Sequence, residues 1–281
     1  MLVQNSISGM RQLIAEQTKA GQIIGLVPTM GALHEGHLSL IDAAQKQCDY
    51  VVVSIFVNPL QFNKPEDLTA YPRMLAADLE KLKDKNVQLA FTPENETMYS
   101  TAHQLSISFG AMERVMEGQF RPGHFSGVGV VVSKLFNIVQ PHYAYFGQKD
   151  FQQLTLIKKM VAEFMYPINI VEVPIVREAN GLAMSSRNER LTAKERNQAT
   201  IFYEALQMAQ KLILEKQSAD VVKQKIESLF TTSPAELEYF QIISADDLQP
   251  KTANLPNQDT VLCIAGYIGN VRLIDNLYLI S

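Results

Sequence analysis

The sequence predicts an α/β protein with a doubly wound parallel sheet, followed by a smaller α+β domain. Continuous apolar runs that stop at Gly or Pro recur in the first part of the chain, and amphipathic segments follow them. Buried parallel strands joined by crossover helices give this pattern. After Arg177 the order changes to helices followed by neighbouring strand patterns, which is typical of an α+β unit. We therefore expect one domain over residues 1–176 and a second over residues 177–281.

The elements of the first domain alternate between strand and helix. The predicted strands share continuous apolar character and lie at residues 23–28, 50–57, 87–93, 143–147 and 168–176. The predicted helices share apolar positions at helical spacing and lie at about residues 36–48, 74–85 and 150–164. The Asp-Lys-Asn sequence at residues 84–86 predicts a turn. Repeated strand, helix and strand indicate a Rossmann-like sheet with right-handed crossovers.

The second domain begins with helices and ends with strands. Helical spacing predicts helices over residues 194 to about 215 and over residues 220–229. Three strands are expected at residues 237–244, 260–268 and 271–280. Gly269-Asn270 between the last two predicts a hairpin turn.

Composition limits the class of partner. With 281 residues, 47% hydrophobic and 19% charged, the chain has the composition of a folded globular protein. Its formal net charge is -4, so no overall basic field would attract a nucleic acid or an anionic membrane. A small molecule is therefore the expected partner.

Cysteine usage and the N-terminal sequence bear on the compartment. The two cysteines, Cys48 and Cys263, lie far apart without metal-type spacing, as ordinary thiols of a reducing compartment do. The first residues have no charged region followed by an apolar one, and the apolar stretches are too short to span a membrane. We expect a cytoplasmic protein.

The segment PTMGALHEGH, residues 28–37, carries the strongest chemical signal. It lies where the first long strand should pass into a helix. Gly31 allows a close backbone approach, and Gly36 lies at the helix start, where free N–H groups and the helix dipole favour an anion. His34 and His37 are one turn apart, so both rings can donate to charge that develops on a departing phosphate group.

Other interpretations of this segment remain open. A zinc site would prefer histidines four residues apart, and no third ligand is evident. His34 and His37 could also be two buried histidines with a purely structural role. The glycine spacing differs from both the dinucleotide-binding fingerprint and the phosphate-binding P-loop, which disfavours those two chemistries.

Ligands of open parallel sheets bind at the carboxyl ends of the strands, and three polar segments follow predicted strands there: PTMGALHEGH, NPLQF and GQKDFQQ. HEGH resembles the HIGH signature of the nucleotidyltransferase superfamily that includes class I aminoacyl-tRNA synthetases, and MSSRN, residues 184–188, resembles its KMSKS loop. With VNPLQF, RPGHFSGV, FGQKDFQQ and REANGLAMSSRN in this order, the whole chain resembles the pantoate:β-alanine ligase (pantothenate synthetase) family. The resemblance implies a HIGH-type Rossmann-like fold.

The resemblance also implies roles for matching residues. The ATP-binding residues would be Met30, Gly31, Ala32, Leu33, His34, Glu35, Gly36, His37, Gly147, Gln148, Lys149, Asp150, Val176, Met184, Ser185, Ser186 and Arg187. Among them His37, His34, Lys149 and Arg187 would be catalytic, with His37 the candidate general acid. Gln61 and Gln153 would hold pantoate. Lys149 would reach phosphate, Asp150 the ribose and the backbone of Val176 the adenine.

These residue types suit the chemistry that the family carries out. Lys149 and Arg187 supply positive charge for a polyphosphate, and uncharged glutamines suit a hydroxylated carboxylate. The family activates (R)-pantoate with ATP as an acyl adenylate, and β-alanine then displaces AMP to give pantothenate. Mg²⁺ is the implied cofactor, with Asp78 as its candidate ligand. Family members are typically homodimers, so a homodimer is expected.

Taken alone, several of these residues have simpler interpretations. Lys149 and Asp150 could form a surface ion pair. MSSRN could only cap the following helix. Gln61 could be a solvated loop residue and Met30 could only pack. Arg121 and His124 of RPGHF could order a lid or a dimer contact, and we assign them no catalytic role.

Two other functions are compatible with such a pocket. A nucleotide-binding regulator would keep the pocket without a reaction, but it would need no donors aimed at pyrophosphate. An adenylyltransferase would stop at a nucleotidylated product. The two glutamines placed for a small hydroxy acid favour the ligase.

Overall fold

The computed structural model describes residues 1–101, 103–252, 255 and 259–279. In this part of the chain the strands form a six-stranded and a three-stranded sheet. In chain order the strands are β1 (Leu2–Gln4), β2 (Ile24–Thr29), β3 (Tyr50–Ile55), β4 (Leu89–Phe91), β5 (Tyr143–Gly147), β6 (Asn169–Val173), β7 (Ala235–Ser244), β8 (Thr260–Ile268) and β9 (Val271–Tyr278).

The α-helices of the described residues, in chain order, are α1 (Ile7–Lys19), α2 (Glu35–Gln45), α3 (Pro65–Ala70), α4 (Leu75–Asp84), α5 (Asn95–Met98), α6 (Glu117–Phe120), α7 (His124–Val139), α8 (Phe151–Glu163), α9 (Ala193–Gln198), α10 (Ile201–Leu214) and α11 (Ala219–Thr231). Short 3₁₀ helices lie at Pro59–Gln61, Gly110–Glu113, Gln148–Asp150 and Ser186–Arg190. None of the helices in the described residues has the length and apolar character needed to cross a membrane.

The larger sheet has the order β1-β4-β3-β2-β5-β6, and every neighbouring pair is parallel. After the edge strand β1, the chain passes to β2 near the middle of the sheet, and the later strands extend from β2 in both directions, first through β3 and β4 and then through β5 and β6. The prediction of a doubly wound parallel sheet is therefore confirmed. β2 pairs with β3 over its whole length, from Ile24 opposite Tyr50 to Thr29 opposite Ile55. Because β2, β3 and β5 are parallel, their carboxyl ends lie at the same edge of the sheet.

Helix α2 packs on this sheet through its apolar face. Leu40, Ile41 and Ala44 are buried together with Val27 of β2 and Val53 of β3. Both β2 and β3 are apolar along nearly their whole length, as strands covered on both faces must be. Burial of these side chains stabilises the junction between β2 and α2.

The sequence did not predict helix α7, although it is one of the most buried elements. Four of the five residues over 128–132 are valines, which favour a strand by local preference. In the structure the segment is apolar on nearly every side and buried, which is the condition under which packing overrides local preference. Gln140, with a φ of 45°, ends the helix. The short strand β1 and helix α1 were also not predicted.

The smaller sheet is antiparallel, with the order β7-β8-β9. Helices α10 and α11 pack against it, and Phe202 and Phe230 meet in their core with ring centroids 5.5 Å apart. Ile268 pairs with Val271, and Gly269 has a φ of 54°, so the predicted hairpin turn is confirmed. The single helix predicted over residues 194–215 is wrong, because α9 and α10 are separate. Ile280, in the last predicted strand, lies outside the described residues.

By their internal contacts the residues form two compact units. The first unit comprises Met1–Gly147 and Leu156–Pro174, which contain the parallel sheet. The second unit comprises Gln148–Thr155 and the chain from Ile175 onward, which contains the antiparallel sheet. The predicted domain boundary after Val176 stays a prediction.

Candidate active site

The loop between β2 and α2 has an uncommon backbone conformation. Gly31 has a φ of 81° and Ala32 a φ of 50°, so two consecutive residues lie in the left-handed region. A side chain at Gly31 would also collide, because its Cβ would lie 2.9 Å from Oδ2 of Asp78. Left-handed conformations outside glycine are uncommon and persist where the surroundings fix them. Contacts from residues outside the loop must therefore stabilise this conformation.

Asp78 in the first turn of α4 holds this loop. Its Oδ2 accepts a hydrogen bond from the amide of Ala32 at 2.9 Å, and its Oδ1 accepts one from the amide of Leu33 at 2.8 Å. Nζ of Lys81, one turn further along α4, donates to the carbonyl oxygen of Leu33. The carboxylate is 1% exposed, so two charge-assisted hydrogen bonds replace its hydration. Helix α4 thus fixes the path of the loop.

These contacts argue against the predicted role of Asp78 as a magnesium ligand. Both carboxylate oxygens are directed at backbone amides, and the side chain is buried. Asp78 does not fit a ligand of Mg²⁺ and fits a residue that positions the loop.

His34 and His37 are joined at the start of α2. His34 is the N-cap residue, and its Nδ1 accepts a hydrogen bond from the amide of Gly36 at 3.1 Å. Nδ1 of His37 accepts one from the amide of His34 at 3.3 Å, which completes a reciprocal capping box. The ring centroids are 4.1 Å apart. With Nδ1 accepting in each ring, the neutral imidazoles carry their proton on Nε2.

The two interpretations of this histidine pair are therefore compatible. The rings have a structural task through Nδ1, because they satisfy amides at the helix start. Nε2, on the other side of each ring, has the chemistry of a hydrogen-bond donor to an anion. The spacing of three residues, which is unsuited to zinc, is the spacing that a capping box requires.

Gln61 lies at the end of the 3₁₀ helix that follows β3. Its side chain is 7% exposed, so the interpretation as a solvated loop residue is wrong. Nε2 lies 3.1 Å from Sδ of Met30, and Oε1 accepts from Nδ2 of Asn58 at 3.2 Å. The ring Nδ1 of His124 is 2.8 Å from the carbonyl oxygen of Gln61. The structure thus brings together Gln61 and Met30, two of the predicted residues, and gives His124 a role in holding this turn.

Asn58 and Tyr99 hold Gln61 and were not predicted from the sequence. Asn58 is 1% exposed, and its Nδ2 also donates to the carbonyl oxygen of Gly127 at 3.1 Å. Oη of Tyr99 donates to Oδ1 of Asn58 at 2.7 Å. Burial raises the pKa of Tyr99, so this phenol stays protonated and remains a donor at neutral pH. The signal available in the sequence was Asn58 itself, an amide directly after an apolar strand.

The predicted residues of the second unit lie on two segments. The first is Gln148–Asp150, directly after β5, where Nζ of Lys149 lies 3.9 Å from Oδ1 of Asp150. The side chain of Lys149 is 17% exposed and that of Asp150 is 53% exposed, so the two form an ion pair at the surface, as the simpler interpretation has it. Their roles in binding ATP stay predictions. Gln153 follows on α8 and is half-buried.

The second segment is a hairpin that leads into MSSRN. The amide of Met184 donates to the carbonyl oxygen of Val176 at 3.0 Å, and Arg177 pairs with Ala183 in an antiparallel bridge. Oγ of Ser185 accepts from the amide of Arg187 at 3.3 Å and caps the 3₁₀ helix Ser186–Arg190. Met184 to Arg187 are half-buried.

The helix after MSSRN has a cap of its own. Thr192 caps α9 in a reciprocal pair with Glu195, whose carboxylate accepts from the amide of Thr192 at 2.8 Å. MSSRN therefore does not cap α9, and the simpler interpretation of this segment is wrong. The roles predicted for Ser185, Ser186 and Arg187 stay predictions.

The predicted residues fall into two groups, one in each unit. The first unit contains Met30 to His37, Gln61, Asp78 and Gly147, and the second contains Gln148 to Asp150, Gln153, Val176 and Met184 to Arg187. In the first unit, hydrogen bonds join Ala32 and Leu33 with Asp78 and join Gln61 with Met30. In the second unit they join Val176 with Met184.

Comparison with known proteins gives a consistent result. The family model described as pantoate-beta-alanine ligase matches residues 2–278. The pantothenate synthetase of Thermoanaerobacter pseudethanolicus is 45% identical over 99% of this chain and 98% of its own length. That of Flavobacterium psychrophilum is 48% identical over 91% of this chain and 92% of its own length.

Solved structures agree with these sequence matches. A pantothenate synthetase from Thermus thermophilus superposes with a TM-score of 0.94 at 36% identity, covering 100% of both chains. A pantoate-beta-alanine ligase from Francisella tularensis, solved as a complex with beta-gamma ATP and beta-alanine, has a TM-score of 0.84 at 38% identity over 99% of this chain and 98% of that one.

Proposed function

The chain belongs to the pantoate-beta-alanine ligase family, and on this premise we propose that it uses ATP to condense (R)-pantoate with β-alanine, giving pantothenate, AMP and pyrophosphate. The observation that carries the proposal is the start of α2. There a loop fixed by Asp78 leads into a pair of histidines whose Nδ1 atoms cap the helix. Such a helix start is suited to the phosphates of ATP.

The reaction proceeds in two transfers, and neither needs a covalent bond to the protein. An oxygen of the pantoate carboxylate forms a bond to the α-phosphorus of ATP as the bond to pyrophosphate breaks, which gives pantoyl adenylate. The amine of β-alanine then attacks the acyl carbon, AMP leaves, and the amine loses a proton. The protein therefore contributes binding, orientation and stabilisation of charge.

In the first unit, the loop from Met30 to His37 is the proposed phosphate-binding segment. Negative charge grows on the pyrophosphate oxygens as they leave, and N–H donors aimed at such charge typically contribute about 10²- to 10³-fold in rate. Nε2 of His34 and of His37 are the proposed donors, with His37 as general acid. The fixed loop reduces the entropy that the segment would otherwise lose when the nucleotide binds.

Gln61 is the proposed pantoate residue of the first unit. Its amide offers both a donor and an acceptor for a hydroxy acid, and it carries no charge that would repel the carboxylate. Asn58 and the thioether of Met30 fix the orientation of this amide. A binding residue held by neighbours in this way orients the carboxylate for attack with less loss of side-chain entropy.

In the second unit, the proposed ATP residues supply positive charge and small donors. Lys149 and Arg187 neutralise phosphate oxygens, and Ser185 and Ser186 donate from hydroxyl or backbone groups. We also propose that Asp150 binds the ribose and that Val176 contacts adenine through its backbone. Gln148 and Gly147 contact the nucleotide, and Gln153 joins Gln61 in binding pantoate.

Mg²⁺ is proposed to arrive with ATP, held by phosphate oxygens, because Asp78 is committed to the loop. Magnesium reduces the negative charge of the polyphosphate when it is bound. We also propose that the protein is a homodimer in the cytoplasm and that it binds neither nucleic acid nor membrane.

The test is pantoate-dependent exchange of labelled pyrophosphate into ATP, followed by addition of β-alanine. We expect exchange only with pantoate, and AMP with pantothenate only after β-alanine is added. ATP binding without exchange would contradict the proposal and favour a nucleotide-binding regulator. Exchange in which the adenylylated acid is the final product, with no AMP released on addition of β-alanine, would favour an adenylyltransferase.

A further inference from the structure

We propose that Asp275 and Asn276, adjacent residues of β9, are positioning residues that tie together the two ATP-binding segments of the second unit. These segments are Gln148–Asp150 and the hairpin of residues 176–184, which continues into MSSRN. The inference rests on the proposed function, because that function assigns ATP to both segments. Neither residue lies in the motifs that carry the family resemblance.

Asn276 holds the first segment by its backbone. Its Nδ2 donates to the carbonyl oxygens of Gln148 and Lys149, each at 2.9 Å. The side chain is 3% exposed, and its Oδ1 has no hydrogen-bond partner. An amide placed in this way uses both of its N–H bonds on consecutive carbonyls, so it fixes the backbone from which the Lys149 side chain extends.

Asp275 holds the second segment through Arg177. Nη1 of Arg177 lies 2.6 Å from Oδ2 of Asp275, and Nη2 lies 2.9 Å from Oδ1, a bidentate pair. Nη2 also donates to the carbonyl oxygen of Asn276 at 3.2 Å. Arg177 follows Val176 directly, so this pair fixes the strand that carries the proposed adenine contact.

The guanidinium of Arg177 continues the connection into the hairpin. Nη1 donates to the carbonyl oxygen of Gly181 at 3.1 Å, and the group lies 3.9 Å from the ring centroid of Tyr203. At the far end of the hairpin, Nδ2 of Asn188 donates to the carbonyl oxygen of Ala183 and to Oε1 of Glu178, each at 3.0 Å. The Met184 to Arg187 segment is thereby held between two fixed points.

Packing alone would favour other residues at these positions. Residues 271–278 form a strand in the core of the second unit, and a buried acid and a buried amide are costly there unless they are paired. Burial raises the pKa of Asp275, and the hydrogen bonds and charge of Arg177 oppose that rise. The positive charge of Lys149 acts on the Asp275 carboxylate in the same direction as Arg177. The free-energy cost of burying Asp275 and Asn276 side by side is explained if the two residues position nucleotide-binding segments.

The decisive variant is Asn276→Leu, which is close in volume and suits a buried strand but cannot donate to either carbonyl. We expect the Kd for ATP, measured by calorimetry without pantoate, to rise by about 10-fold, since two hydrogen bonds are lost. KM for ATP should rise with it, while KM for pantoate stays unchanged. Hydrogen exchange should accelerate at residues 148–150 and leave the helices α10 and α11 unaffected.

The matched control is Thr260→Val on the neighbouring strand β8. Thr260 is fully buried, and its hydroxyl has no hydrogen-bond partner, so the variant alters a buried polar group that contacts neither segment. Its Kd for ATP should equal that of the unmodified chain. Asp275→Asn, which keeps the shape and removes the charge, should weaken ATP binding and accelerate exchange at residues 176–184.

An unchanged Kd for ATP in a folded Asn276→Leu chain would overturn the inference. So would an equal loss of ATP and pantoate binding, because that is the result of general loosening. Should Asn276→Leu fail to fold, Asn276→Ser, which is too short to reach both carbonyls, gives the same test. If the unmodified chain binds ATP but fails the exchange assay, the proposed function is wrong, and the Kd comparison still decides the inference.

Discussion

At the start of α2, each histidine of the pair performs two tasks with its two ring nitrogens. Nδ1 of His34 and of His37 satisfies an amide of the helix start, and this use fixes the tautomer that places a proton on Nε2. The same geometry thus stabilises the helix and prepares a donor for an anion. A substitution that removes the whole ring changes both properties, so the two tasks must be separated with residues that mimic one nitrogen at a time.

His37→Asn and His37→Gln make this separation. Asn places an acceptor near the position of Nδ1, so it should keep the cap and the free energy of unfolding but lower the rate of adenylate formation by about 10²-fold. Gln places a donor near the position of Nε2, so it should keep more activity but lose about 1 kcal/mol of stability with the cap. Single-turnover adenylate formation and denaturant unfolding measure the two effects. If His37→Asn formed the adenylate faster than His37→Gln, the proposed role of Nε2 would be contradicted.

A second residue-scale prediction concerns Tyr99. The Tyr99→Phe variant loses the hydrogen bond from Oη to Oδ1 of Asn58, which is 2.7 Å long. Asn58 orients Gln61, so we expect KM for pantoate to rise by about 5-fold and KM for ATP to remain unchanged. Steady-state kinetics with each substrate varied in turn measures this difference.

Tyr166→Phe is the control for Tyr99→Phe. Tyr166 makes ring contacts with Phe136 and Phe164, away from Asn58 and Gln61. The control should leave both KM values unchanged. Equal KM values for pantoate in the Tyr99→Phe and unmodified chains would show that Tyr99 does not act through Gln61.

Residue roles of this kind show the limit of sequence reasoning at the smallest scale. His34, His37 and Gln61 could be proposed because they lie in short motifs after predicted strands. Tyr99 could not, because it reaches Asn58 across 41 positions of sequence. The burial of Gln61 likewise depends on contacts with α7 and Met30. Neither contact can be predicted from the residues that flank Gln61 in the sequence.

At the scale of elements, α4 acts as a support for the loop between β2 and α2. Asp78 and Lys81 lie one turn apart on this helix, and they bind the amides and the carbonyl of the same short loop. A loop with two left-handed residues in succession would otherwise relax to lower-energy conformations. The helix thus maintains a strained connection at the point where the nucleotide is proposed to bind.

Asp78→Asn tests this support. The amide keeps one acceptor but directs an NH₂ group at a second backbone N–H, which leaves one buried donor without a partner. We expect the free energy of unfolding to fall by about 2 kcal/mol and KM for ATP to rise. Asp84→Asn, at the exposed end of the same helix, removes the same charge without touching the loop and should change neither quantity. A variant at Asp78 that loses magnesium dependence but keeps its stability would instead restore the metal assignment.

The elements themselves were predictable where local pattern and tertiary environment agree. Strands β2, β3 and β5 are continuous apolar runs and were found to within two residues at each end. Helix α7 was missed because its valines favour a strand locally, whereas its burial on nearly every side is decided by the rest of the chain. The break between α9 and α10 was missed because no Gly or Pro marks it in the sequence.

At the scale of the whole molecule, the order of elements was informative because connections between parallel strands obey few rules. Alternating strands and helices allow little besides a doubly wound sheet, and the helices followed by strands at the end allow an α+β unit. The sequence could not show that Gln148–Thr155 groups with the C-terminal part of the chain. That grouping depends on contacts such as those of Asn276, which lie 128 and 127 positions from their partners.

This grouping leads to a prediction for the complete chain. ATP-binding residues are proposed in both units, so a single ligand should affect both. Binding stabilises the native state by mass action, by about 2.7 kcal/mol at a ligand concentration of 100 times Kd. We therefore expect ATP to raise Tm and to slow hydrogen exchange at residues 30–37 and at residues 184–187. Pantoate alone should slow exchange near Gln61 without protecting residues 184–187. Protection confined to residues 30–37 in the presence of saturating ATP would remove Met184 to Arg187 from the proposed set of ATP-binding residues, whereas protection of both segments would keep them in it.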